Sequence, residues 1–141
     1  MQQKSTTNLQ QELMDSPKLD SFLSDNEACF NQETAAQTLT RLFEQKALSK
    51  AALAKQAYMS EIYLHQIFAG RRNPSRNRLL CLCYGLDATL EETQELLKLC
   101  GHAQLYPKIR RDAIILYGIV HHEKLPRIND RLFREDEETL F

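Results

Sequence analysis

Residues 59–76, "MSEIYLHQIFAGRRNPSR", hold the side chains best suited to specific recognition. The spacing predicts a short helix, with Ser60 capping its start and Gly70 ending it in a left-handed turn. Leu64, Ile67 and Phe68 fall at helical spacing and would face a core. Glu61, Ile62, Tyr63, His65 and Gln66 point the other way, and Arg71, Arg72 and Arg76 come directly after. Gln66 offers a donor beside an acceptor, Glu61 accepts, and each arginine presents a fork of donors suited to anions. A buried helix has no use for so varied an outer face, so this one is expected to touch a partner.

Other chemistry is poorly represented. No Gly-rich phosphate loop, His/Glu metal pair at i, i+4 spacing or nucleophile turn is present, so catalysis is not expected. Four cysteines, Cys29, Cys81, Cys83 and Cys100, read as free thiols packed as small apolar groups. A zinc site combining them with His102, His121 and His122 would need a Cys-x-x-Cys pair that the chain lacks. Neither a metal nor a cofactor is expected.

The chain has 141 residues, which suits one domain with an appendage. No apolar run approaches the roughly 20 residues that cross a bilayer. The first residues lack the apolar core of a signal peptide, so a cytoplasmic protein with no membrane partner is expected. The net charge is −1, but it is unevenly spread. Residues 1–40 carry two basic and six acidic side chains, residues 41–86 eight and two, and residues 87–141 eight and eleven. The middle segment, at +6 between flanks of −4 and −3, would steer an anionic partner despite the near-neutral total.

The elements that must position the recognition face are all helical. Ala35, Leu39, Leu42 and Phe43 form one stripe between about Glu33 and Lys46. Ser49 caps a second helix, "SKAALAKQA", with Ala52, Leu53 and Ala57 as its core side. After the turn "AYM" comes the helix at Ser60, then one from about Ser75 to Tyr84. A fifth opens with Thr89 and Glu92 in capping-box spacing and runs to Cys100. All four glycines fall at predicted helix ends, and no strand-like alternation appears.

Two helices joined by a three- or four-residue turn form a DNA-reading device, the first crossing the backbone and the second entering the major groove. Ala52 and Ala57 would let them approach closely. The stretches "LSKAALAKQA", "MSEIYLHQIFAGRRNPS" and "LLCLCYGLDATLEETQELL" resemble the lambda-repressor-like, XRE-type helix-turn-helix domain, a five-helix bundle of bacterial and phage transcription regulators. The resemblance covers residues 34–100, about half the chain. It implies that Lys50 meets phosphate, that Ser60, Glu61, Ile62 and Gln66 face base edges, and that Tyr63 reaches sugar or phosphate. Arg71, Arg72 and Arg76 would then meet phosphates from the loop after the helix. Glu61 departs from an anion-binding pattern: it would accept from a cytosine amino group or favour the helix N-terminus.

The last third repeats the segment before it. "PSRNRLLCLCYGL" (74–86) resembles "PKIRRDAIILYGI" (107–119), pairing Tyr84-Gly85 with Tyr117-Gly118 at an offset of 33. Leu90, Leu97, Leu105 and Tyr106 pair with Leu125, Leu132, Leu140 and Phe141 at an offset of 35, implying a connecting loop longer by two. One helical hairpin is therefore used twice, the copies sharing an apolar face.

The expected organisation is all-α. An acidic, partly mobile arm or set of short helices spans 1–32, the helix-turn-helix domain 33–101, and a packed C-terminal hairpin 102–141. The expected partner is double-stranded DNA bound by a homodimer, with the C-terminal extension open to a protein partner. The alternative is a protein-interaction adaptor that keeps this fold with DNA binding weak or lost.

Overall fold

The computed structural model describes residues 4–30 and 33–141. They form helices without a strand and fall into two units, residues 1–33 and 34–141. Of the expected arm, residues 1–3 and 31–32 lie outside the described residues.

In the first unit, Thr6–Asp15 (α1), Leu19–Asp25 (α2) and Glu27–Phe30 (α3) are helical. Ser5 caps α1 by accepting from the Asn8 amide at 3.1 Å. A polar knot does much of the joining. Buried Asn26 accepts from Lys4 at 2.6 Å and donates to Glu12 at 3.1 Å, while Lys4 pairs with Glu12 at 2.7 Å. Lys4 first, and then Asn26, hold the Glu12 carboxyl below its usual pKa by bonding its charged form. Phe22 is buried and meets the Phe30 ring edge-on at 6.3 Å.

The second unit begins with Ala35–Glu44 (α4), Lys50–Gln56 (α5), Glu61–Phe68 (α6), Arg76–Gly85 (α7) and Leu90–Leu99 (α8). The caps expected at Ser49, Ser60 and Thr89 are in place, and Thr34 and Ser75 supply two more. Thr34 and Thr89 form reciprocal boxes with Gln37 and Glu92, and Ser49, Ser60 and Ser75 each accept from an amide three residues on. Such caps settle amides that the first turn leaves unpaired, at about 1 kcal/mol each. α7 runs through the centre. Leu79, Leu80, Cys81, Leu82 and Cys83 are all buried, so it packs around its whole circumference rather than along one stripe. Close approach of α5 uses buried Ala54 and Ala57, whereas Ala52, expected in that role, is only half-buried.

Arg110–Val120 (α9) and Leu125–Arg134 (α10) then form a second hairpin. Its geometry repeats α7–α8 at a constant offset of 35. Asp87 and His122 take positive φ after the first helix of each pair, and Gly101 and Asp136 do so after the second. The Ala88 amide bonds Cys83 as Glu123 bonds Gly118, and His102 bonds Leu97 as Glu137 bonds Leu132. The Gln94 amide group clasps the backbone of Leu105, accepting at 2.7 Å and donating at 2.9 Å. Asn129 clasps Leu140 and Phe141 likewise, at 2.6 and 2.9 Å.

This register corrects two sequence expectations. The connecting loops, 86–89 and 121–124, are equally long, and the two added residues continue α9 beyond Gly118. Gly118 therefore lies inside its helix, not at its end. It is the counterpart of Cys83 rather than Gly85, and a Cβ there would come 2.4 Å from Ile128 Cδ1.

Candidate functional site

α5, the turn and α6 place the recognition face. Ala57 ends α5, Tyr58 turns the chain at φ 57, and the Met59 amide bonds back to Ala54 at 3.0 Å. A tyrosine in left-handed conformation costs about 1–2 kcal/mol. Its ring stacks on Phe141 at 4.0 Å and 8°, so the end of the second hairpin supports the bend that aims α6. Leu64 and Ile67 anchor α6 with exposures of 0% and 2%.

Outside that anchor, the predicted residues separate into distinct groups. Lys50, Ile62, Gln66 and Arg71 line one shallow groove together with His65 and Phe68. Ile62 stands 73% exposed at its edge, an apolar side chain that the core leaves mostly to solvent. The Lys50 ammonium lies 5.4 Å from the Phe68 ring centroid, and that ring is held edge-on by Phe43 at 5.5 Å. Cation–π attraction of this kind keeps a long side chain in place without neutralising it. Glu61, in the first turn, reaches His65 at 3.4 Å, so its carboxylate is partly occupied within the helix.

Tyr63 forms the second group. The Arg72 and Arg78 guanidinium carbons lie 5.3 and 4.7 Å from its ring centroid. Two cations near one neutral ring concentrate positive charge beside the recognition face. Ser60 is committed locally, since its hydroxyl accepts from the Tyr63 amide at 3.1 Å.

Arg76 belongs elsewhere, contrary to its expected place in the phosphate-binding loop. Its guanidinium makes a two-pronged pair with buried Asp112, both bonds at 3.0 Å, and donates to the Ala103 and Gln104 carbonyls. Asp112 also accepts from the Tyr106 amide at 3.0 Å. A desolvated carboxylate captures the nearest fork of donors, so Arg76 ties α7 to α9 instead of facing outward.

Two residues outside the expected set join these groups. His65, which the helical period already turns away from the core, stands three positions after Ile62 and lines the same groove. Arg78 is not readable from the sequence, because only folding brings the first turn of α7 beside Tyr63.

The thiols of the second unit are held in their unreactive form. Burial pushes Cys81 up to about 11 and Cys83 up to about 12, and raises Cys100, so these three stay protonated near neutrality. Among the described residues no group of three or more His, Cys, Asp or Glu could hold a metal ion. None of their helices is long and apolar enough to cross a membrane.

Residues 35–96 match the family model of a helix-turn-helix domain, a span that begins with α4 and ends within α8. No curated protein and no solved structure matches the chain.

Proposed function

We propose that the chain is a sequence-specific DNA-binding transcriptional regulator of the lambda-repressor-like, XRE type, with α6 lying in the major groove. It works in the cytoplasm as a homodimer, without a catalytic step of its own. One observation carries this reading. Lys50, Arg71, Arg72 and Arg78 surround the face of α6, and among the described residues none of them is in an ion pair. By contrast, Arg76, Arg110 and Arg127 are all paired internally. Charge left unneutralised beside a polar, exposed helix suits a backbone of phosphates.

In this reading Gln66 meets adenine at two points, Ile62 meets a thymine methyl, and Glu61 accepts from a cytosine amino group. Ser60 holds the helix start at the base edges. Tyr63, Lys50, Arg71, Arg72 and Arg78 serve the sugar–phosphate strands. Two protomers are needed because one recognition helix reads too few base pairs for selectivity.

DNA affinity measured against salt tests the proposal. With four phosphate contacts per protomer, log affinity should fall against log salt with a slope of about −3.6 per protomer, and Lys50→Ala or Arg72→Ala should flatten it by about 0.9 per protomer. Gln66→Ala should instead erase preference at one base pair, worth about 1–3 kcal/mol. Failure of the wild type to retain any duplex at low salt would overturn the reading and leave the protein-docking adaptor.

A further inference from the structure

The two connecting loops, 86–89 and 121–124, both line a cleft of about 810 Å³, a size that suits a small molecule. Its walls are largely apolar, with Tyr58, Tyr84, Leu90, Ile119 and Leu125 among them. The rim favours neither sign of charge. Asp87 and Lys124 set one charge of each sign there, and Glu123 is already paired with Arg127 at 2.9 Å.

One group on the wall is left unused by the fold. The Tyr84 hydroxyl is shielded from solvent and has no hydrogen-bond partner among the described residues. A buried hydroxyl left unpaired is destabilising, and native folds rarely keep one. Burial first, and then the Glu123 carboxylate, raises its pKa, so it stays a donor. It lies against α9 at Gly118, where an added Cβ would come within 3.1 Å of it.

The cleft sits beside a lever. The Arg76–Asp112 pair ties α9 to α7 at its first turn, whereas the cleft is bounded by its last residues, Ile119 and Val120. α10 is locked to α9 because Ile128 occupies the space over Gly118. On α10, Asn129 holds Phe141 by donating to its carbonyl at 2.9 Å. Phe141 in turn stacks on Tyr58, which lines the same cleft and forms the left-handed turn before α6.

We propose that the cleft is the binding site of an uncharged molecule of two or three rings bearing a hydrogen-bond acceptor, and that its occupancy loosens the turn that aims α6. The acceptor pairs with the Tyr84 hydroxyl once the far end of α9 draws back from it, pivoting at Arg76 and Asp112. Such a ligand binds the opened arrangement better, and opening withdraws Phe141 from Tyr58. The consequence for DNA rests on the DNA-binding reading, but the site does not.

Quinoline, whose ring nitrogen accepts, and indole, which only donates, serve as probes. Titrated into the 15N-labelled full chain, quinoline should shift the Thr89, Val120 and Lys124 amides saturably, with a dissociation constant of about 1 mM. The shift should extend across the turn to the Ile62 amide. Tyr84→Phe should weaken quinoline about fivefold, leave indole binding as it is and not lower thermal melting, since it removes an unpaired hydroxyl. Val120→Trp, at a position 57% exposed, should block both probes without lowering thermal melting. Saturating quinoline should lower duplex affinity about fivefold, and Phe141→Ala should abolish that response. No saturable shift, shifts confined to the α6 groove, or unaltered quinoline binding in Tyr84→Phe would overturn the site. Binding that leaves the Ile62 amide unmoved would overturn the link to α6. A wild type that retains no duplex at low salt would sink the DNA-binding reading alone, because the titration needs no DNA.

Discussion

α7–α8 and α9–α10 share a backbone plan but not a fate. Both end their helices with the same turns, both use a side-chain amide to clasp a later leucine, and both bury that leucine, at 4% for Leu105 and 5% for Leu140. The first pair is enclosed: five consecutive residues of α7 are buried. The second is half-enclosed, with Tyr117, Val120 and Phe133 in solvent. A repeated hairpin therefore does not carry its environment with it. Its packing depends on which neighbours the chain supplies, and the chain supplies α4 and α5 only once.

The largest test of this comparison breaks the joint between the pairs. Asp112→Ala leaves Arg76 without its buried partner and should cost about 3–5 kcal/mol of unfolding free energy in urea. A loss near zero would mean that the pairs stand independently. Next come the two glycines that sequence similarity equates and structure does not. Gly118→Ala forces a methyl against Ile128 Cγ1 and Cδ1, at 2.5 and 2.4 Å, and should cost about 2 kcal/mol. Gly85→Ala overlaps the tip of Leu53, lies in ordinary contact with Ala57 and gains helix propensity, so its net cost should stay below about 1 kcal/mol. Equal losses at both sites would argue for the 33-residue register.

The paired amides are expected to matter alike. Gln94→Ala and Asn129→Ala should each cost about 1–2 kcal/mol by leaving a leucine amide unsatisfied, and a large inequality would show that one clasp is incidental. The smallest effect distinguishes the pairs chemically, since only the first holds buried thiols. Raised folded pKa values mean that the unfolded chain loses its thiol protons first. Stability from Cys81 and Cys83 is thus complete below pH 9 and lost as pH rises towards 11 and 12. Chemical denaturation at pH 8 and 10 should differ by about 1 kcal/mol per thiol, and Cys83→Ala should remove its share.

Much of this architecture is legible in the sequence where the signal is local. Caps at Ser49, Ser60, Ser75 and Thr89 lie within three residues of the amides they satisfy, so helix starts can be read directly. The outer face of α6 comes from period alone, and His65 is legible by the same rule. The destination of Arg76 is not. Its distance from Arg72 in sequence is short, but its partner Asp112 lies 36 residues away, and nothing local distinguishes an arginine that will be captured from one left free. The Tyr-Gly pairing misleads for a related reason: two residues added inside a helix rotate every later position by about 200°, so identical letters come to face different neighbours.

Taken alone, the order of residues determined that the chain is helical, where α4 to α8 begin and which side of α6 stays polar, because these depend on hydrogen bonds and periodicities spanning a few positions. The tertiary structure decided which cations remain unpaired, which hairpin is enclosed and which face of α9 lies open. Those outcomes turn on contacts between residues far apart in the chain, where burial determines whether a charge must find a partner inside the fold.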